Sequence, residues 1–200
     1  MSTPTPTRQG LRTALVDLEH PARSRVERFI SDRFLASHNS RISNLMSHHV
    51  VCRNDRGDIL AAVGFRVADG NTLFLESYLE QPIEQVIAAQ DASQPTRPTI
   101  AEVGNLASIN HRATLLVFRQ LFAELDQRQI DWVVCTACDA LQKSMARQGL
   151  VFDKVCTAHA SCLGAQAAHW GSYFAAQPNV LVGDLNAARV SFAHRNGGRS

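Results

Sequence analysis

Several things are scarce in this sequence, and each scarcity excludes a class of protein. There is no Lys/Arg run and no basic stretch interleaved with aromatics, and the net charge over 200 residues is only +2. Nucleic acid is therefore not an expected partner. No apolar run approaches the roughly 20 residues that a membrane helix needs, and the N-terminal MSTPTPTRQG lacks the apolar core of a secretion signal. The expectation is a cytoplasmic protein without an integral membrane segment. The five cysteines are an odd number and read as reduced thiols rather than a disulfide framework. Cys135 and Cys138 form a CxxC, but they fall in or just after the apolar strand WVVCTAC rather than at a helix N-terminus, and no second Cys or His pair stands at zinc spacing. His48, His49, His111, His159 and His169 form no comparable pair on one helix either, so no metal is expected. A nucleophilic cysteine would need a neighbouring base and stays open as an alternative reading of the pair.

What is present is enough apolar material, 45% of the chain, for one sizeable core. Residues 1–10 read as a flexible N-terminus, 11–188 as a single domain, and 189–200 as a polar, Gly-containing tail. Inside the domain, TALVDLEH predicts a first strand. Pro21 opens a helix with Val26, Ile30 and Phe34 on one face. HHVVCRND and DILAAVGFRVA predict a hairpin across the turn-rich NDRGD, and TLFLESYL another strand. Pro82 suits the first turn of a helix over PIEQVIAAQ. TIAEVGNLA then reads as a strand running into a helix with Leu115, Phe118, Phe122 and Leu125 as its core stripe. DWVVCTA is a strand, DALQKSMARQG a helix closed by Gly149, LVFDKVC a strand, and a last strand lies around Val180 to Val182. Hairpin strands followed by strand-helix units predict an α/β (α+β) fold, a mixed sheet with helices on both faces.

That order of elements resembles the GNAT acyltransferase fold, whose central sheet is mostly antiparallel. VGFRVADGNTLFLESYL, with Arg66 after Gly64, and EVGNLAS, residues 102 to 108, resemble segments of the acyl-homoserine-lactone synthases and N-acyl amino acid synthases. Gly104 and Asn105 stand where those families have Ser and Arg. LFLESYLEQPIE, EVGNLA, WVVCT and WGSYFAAQPNVLVG are also similar to the thermostable haemolysin family, from about residue 20 to 185. The resemblance implies acyl transfer from a pantetheine thioester.

It also implies where the chemistry sits. EVGNLAS would be the fourth strand and DWVVCTA the fifth, splayed apart, so that Leu106, Ala107 and Ser108 hold the pantetheine arm, with Thr136 across the splay. By strand alternation Glu102, Gly104 and Leu106 share one face and Val103, Asn105 and Ala107 the other. Glu102 would be the base that takes a proton from an attacking amine. Glu76 could approach the same place, and two nearby carboxylates raise one another's pKa. Both could instead be structural partners of Arg66 or Asn105. Arg66 suits an acceptor carboxylate, although an Arg on a hairpin strand is also a common surface residue. Asn105 is expected to bind substrate by holding a carbonyl or to fix Glu102, with capping of a neighbour's backbone as the alternative. Tyr78, Trp170 and Tyr173 are expected to shape the substrate pocket, alongside Gly171, although packing alone would also explain the aromatics.

Two departures from the ordinary pattern bear on the donor. The junction SINHRATLL has no glycine to wrap a pyrophosphate, which favours an acyl carrier protein over free CoA, with His111 and Arg112 at the helix start and Arg112 as the phosphate ligand. Met145 stands where many relatives have a Tyr that protonates the leaving thiolate. The sequence reading is thus an N-acyltransferase with no permanently bound cofactor, taking a fatty acyl group from acyl carrier protein or acyl-CoA to a small amine such as an amino acid. A membrane-active protein and a GNAT-shaped binding module without catalysis are the alternatives.

Overall fold

The computed structural model describes residues 10–70, 72–90, 93–147 and 151–187. Gly149 and nearly all of both expected terminal tails lie outside the described residues. Seven strands form one sheet in the order β1-β2-β3-β4-β5-β7-β6: β1 Leu11–Val16, β2 His48–Asn54, β3 Ile59–Val67, β4 Ile100–Ser108, β5 Trp132–Ala137, β6 Asp153–Thr157 and β7 Asn179–Asp184. Every pairing is antiparallel except β4 with β5. The mixed, mostly antiparallel sheet is the expected fold class.

Local chemistry accounts for the β2-β3 hairpin. Asn54 Oδ1 accepts from the amides of Arg56 and Asp58 at 3.0 and 2.9 Å, and Gly57 supplies the positive φ of +81° that closes the turn. Helix α1 (Arg23–His38) presents Val26 and Ile30 to one face of the sheet, with Phe34 alongside. On the other face lies α3 (His111–Gln127), N-capped by Asn110, whose Oδ1 accepts from Ala113 N at 2.9 Å. The helices α2 (Ile83–Gln90) and α4 (Asp139–Arg147) complete the two layers.

Three expectations need correction. TLFLESYL is not a strand: Phe74–Tyr78 is a 3-10 helix, because its first amides are satisfied by distant carboxylates rather than by a sheet neighbour. The buried stripe of α3 runs through Ala113, Val117, Phe118, Leu121 and Leu125, leaving Leu115 exposed. The helix is rotated so that Leu115 points away from the sheet. Finally, β1 starts at Leu11 and ends at Val16, before Asp17-Leu18.

Candidate active site

The parallel pairing of β4 and β5 is short. It runs from Ile100 opposite Trp132 to Val103 opposite Cys135 and stops, so Gly104–Ser108 have no strand partner on that side among the described residues. The two strands are splayed as expected. β4 still pairs with β3, but the register slips between Gly64 and Ala62, which face Gly104 and Ala107. Asn105 and Leu106 thus oppose the single residue Val63, a β-bulge, and Asn105 carries the positive φ of 52° that turns it.

The bulge overturns the simple alternation read from the sequence. Asn105 faces the same side as Glu102: its Oδ1 accepts from Met46 N at 2.8 Å and its Nδ2 donates to Asn44 O at 3.3 Å. Leu106 packs with Val103 on the α3 side. Gly104 and its cross-strand partner Gly64 leave room for Met46, because a Cβ on Gly64 would strike Met46 Cβ and Cγ and one on Gly104 would strike Met46 Cε. The segment carrying Asn44 and Met46 therefore lies flat against the sheet.

A cavity of about 190 Å³ opens at the splay. Glu102, Gly104, Asn105 and Leu106 line it from β4, Cys135 and Thr136 from β5, and Leu141 and Met145 from α4. An aromatic wall closes the opposite side. Trp170 stacks on Phe74 at 5.4 Å between ring centres, Tyr173 lies 5.0 Å from Trp170, and His38 meets the Tyr173 ring edge-on at 5.5 Å. Tyr173 Oη donates to Thr136 O at 3.3 Å, which fixes its orientation. Tyr78 belongs to the same wall, and burial pushes the phenols of both tyrosines up.

The WGSY segment holds this wall to α1. Ser172 donates to His38 O through its amide (2.8 Å) and hydroxyl (3.1 Å), while Arg41 N donates to His169 O at 2.7 Å. Gly171 is required twice over, by its φ of +52° and because a Cβ there would overlap the His38 carbonyl oxygen. Trp170 and Tyr173 line the cavity, and Gly171 forms the turn between them.

Glu102 is only 3% exposed. Its Oε2 accepts from Phe74 N and its Oε1 from Leu75 N, both at 3.0 Å, and Arg66 Nε lies 3.4 Å from Oε2. Burial raises its pKa above the ordinary glutamate value, and the Arg66 charge and the two amides offset that only in part. A carboxylate has about four acceptor sites. One remains for a proton from the cavity.

Glu76 is differently placed. Its oxygens accept from Leu73 N at 2.6 Å, Ile83 N at 2.9 Å, and Arg97 Nη1 and Nη2 at 2.9 and 3.1 Å, and it does not line the cavity. Burial pushes its pKa up, but Arg97 and the amides of Ile83 and Leu73 outweigh this and hold it below the usual carboxylate range. The two carboxylates do not converge on the cavity: the Glu76 charge adds a minor upward push to Glu102, while Glu76 itself ties the 3-10 helix to α2 and to Arg97.

Arg66 also departs from its expected use. Nη2 donates to Asn44 Oδ1 at 2.6 Å and Nε to Met46 Sδ at 3.0 Å, beside the Glu102 contact, and the guanidinium is not among the groups lining the cavity. It orients Glu102 and the 44–46 segment. Cys135 is buried and its thiol is pushed up to about 12, against the thiolate a nucleophile needs. Cys138, contrary to expectation, does stand at a helix start: its carbonyl accepts from Leu141 N and Gln142 N at the head of α4.

Of the expected donor-binding residues, Leu106 lines the cavity at the splay, and Leu106, Ala107 and Ser108 line a second one beyond it. Ser108 Oγ is engaged in the β4-α3 junction, accepting from Thr114 Oγ1 at 2.7 Å. His111 and Arg112 are exposed on the first turn of α3, and neither lines either cavity. The sequence reading missed His38, Phe74, Asn44 and Met46. His38 was within reach, because it continues the spacing of four through Val26, Ile30 and Phe34.

The fold is that of the GNAT-like acyl-homoserine lactone and N-acyl amino acid synthases. BjaI, a CoA-dependent acyl-homoserine lactone synthase solved with SAM and isopentyl-CoA, superposes with a TM-score of 0.62 at 12% identity, over 96% of this chain and 92% of that one. The AHL synthase LasI gives 0.61 at 12% identity over 88% and 91%. FeeM, an N-acyl amino acid synthase from uncultured soil microbes, gives 0.59 at 12% identity over 86% and 89%. No curated protein matches the sequence. The chain belongs to the thermostable hemolysin family, whose sequence model matches residues 16–189.

Proposed function

We propose that this protein is an N-acyltransferase that moves an acyl group, of fatty type, from a pantetheine thioester to the amine of a small acceptor such as an amino acid. The observation that carries the reading is the unpaired edge of β4 from Gly104 to Ser108, opening onto a largely apolar cavity with the Glu102 carboxylate in its wall. An extended pantetheine arm pairs with such an edge as a further strand would. The neighbours named above are acyl-transferring synthases, which supports the same chemistry.

In the reaction, the acceptor nitrogen attacks the thioester carbonyl, a C–N bond forms, the C–S bond breaks, and the thiolate leaves on the pantetheine arm. Glu102 takes the proton from nitrogen. Its elevated pKa suits a base working toward neutral pH, and its two amide bonds and Arg66 hold it in place. Backbone amides released from the ladder at the bulge polarise the carbonyl. Met145, 4% exposed at the end of the cavity, supplies no proton, and the thiolate leaves unaided. Val103, Leu106, Phe118, Leu141 and Met145 form the apolar end that receives the acyl chain.

Acyl carrier protein is the donor proposed over CoA. The β4-α3 junction supports this choice, because Asn110 already caps α3 and Ser108 and Thr114 close on each other, leaving no glycine-lined cradle for a pyrophosphate.

The test is to incubate the purified protein with long-chain acyl carrier protein and, separately, acyl-CoA, each with a pool of amino acids and polyamines, and to follow thiol release and N-acylated products by mass spectrometry. Thiol release with an N-acyl product, lost in Glu102→Gln and kept in Cys135→Ser, is the expected result. Absence of thiol release from both donors together with dye leakage from lipid vesicles would replace this reading with a membrane-active one.

A further inference from the structure

A second cavity, of about 290 Å³, continues from the first and shares Phe34, His38 and Leu106 with it. Its walls are Arg33, Phe34, Ser37 and His38 of α1, Leu106, Ala107 and Ser108 of β4, and Thr114 of α3. It follows the open β4 edge away from Glu102. The strand rises about 3.3 Å per residue, so the distance from Gly104 to Ser108 is on the order of 13 Å, comparable with the two amide units of an extended pantetheine arm. What lies at the far end of the arm is a phosphate.

Arg33 is the cationic group there. Its Nε is buried and has no hydrogen-bond partner among the described residues, and a buried guanidinium donor left unpaired is uncommon in a folded protein. Ser37, one helical turn further along α1, and Thr114 add hydroxyls to the same cavity, and among the described residues no carboxylate lines it. A site with an unpaired guanidinium Nε, hydroxyls and no acid suits a phosphate ester. Arg112, the basic residue suggested by sequence, lines neither cavity.

We propose that Arg33 binds the phosphate of the donor's phosphopantetheine arm in this second cavity, a role assigned to α1 rather than to the start of α3. The proposal rests on the acyltransferase reading above and adds where the donor's charge is held. The phosphate is common to acyl carrier protein and CoA, and either source presents it to the same site.

The experiment compares thiol release from acyl-pantetheine, acyl-phosphopantetheine, acyl carrier protein and acyl-CoA by the wild type, Arg33→Met and Arg33→Lys. The wild type is expected to favour acyl-phosphopantetheine over acyl-pantetheine by about tenfold to a hundredfold in kcat/KM. Arg33→Met brings the phosphorylated donor down to the rate of acyl-pantetheine, and Arg33→Lys keeps part of the preference. Calorimetric binding of phosphopantetheine against pantetheine follows the same order. The faster of acyl carrier protein and acyl-CoA names the source. A phosphate preference that persists in Arg33→Met, or equal loss on phosphorylated and unphosphorylated donors, overturns the assignment while leaving the acyltransferase reading intact. No thiol release from any donor by the wild type overturns both.

Discussion

Glu76 and Glu102 are the same residue type, and each accepts two backbone amides around one short 3-10 helix. Glu102 takes Phe74 N and Leu75 N, and Glu76 takes Leu73 N and Ile83 N. Their cations differ. Arg97 grips Glu76 with two nitrogens at 2.9 and 3.1 Å, whereas Arg66 reaches Glu102 only through Nε at 3.4 Å while its Nη2 is held by Asn44. Burial pushes both carboxylates up; at Glu102 it prevails over Arg66 and the amides, whereas at Glu76 Arg97 and the amides outweigh it, so one lies above the ordinary glutamate range and the other below it. Amide bonds place a carboxylate, and the balance between its burial and the grip of its cation then decides whether it serves structure or accepts protons.

The comparison is broken most severely by Glu102→Gln. The amide side chain still fills the space and accepts from one of the two backbone amides, but it cannot take a proton. We expect kcat for thiol release to fall by about 10² to 10⁴-fold, with the folded state kept, as circular dichroism and Tm would check. At Arg97 the effect falls on stability instead. Arg97→Met leaves Glu76 charged and enclosed, costing about 3 kcal/mol or roughly 6–12 °C in Tm at neutral pH. Because the folded pKa of Glu76 lies below the ordinary value of 4.5, its stabilisation is present above that pH and is lost as pH falls through the folded pKa. The gap in Tm between wild type and Arg97→Met should therefore close on acidification below about pH 4.5. A gap that stayed constant with pH would contradict the ion-pair account.

The smallest change sharpens the contrast. Asn44→Ala frees Arg66 Nη2, so the guanidinium settles closer to Glu102, which becomes more like Glu76. The pKa of Glu102 should drop, read from the acid limb of the pH-rate profile or from the carboxyl ¹³C shift. An unmoved pKa would show that Asn44 does not restrain Arg66.

Much of this was legible in the sequence. The alternating HHVVCRND and DILAAVGFRVA with NDRGD between them specify a hairpin locally, and EVGNLAS followed by a helix specifies β4 and its junction. The splay followed from the resemblance rather than from periodicity. LFLES misled because its apolar spacing fits a strand, while the bonds that make it a 3-10 helix come from Glu102, 27 and 28 residues away. The bulge was hidden for a related reason. Nothing local marks Asn105 as adopting positive φ, and its side chain is held by a segment about 60 residues distant. Arg66 and Arg112 were plausible as single residues, but only the packing shows that the first is engaged with Asn44, Met46 and Glu102 and that the second lines neither cavity.

The most direct measurement of the central claim is the pH dependence of kcat/KM for thiol release from long-chain acyl carrier protein, in the wild type and in Glu76→Gln. The account predicts an acid limb whose apparent pKa lies above the ordinary glutamate value and stays nearly in place when Glu76 is replaced. A limb at or below that value, or one that disappears in Glu76→Gln, would contradict Glu102 as the base.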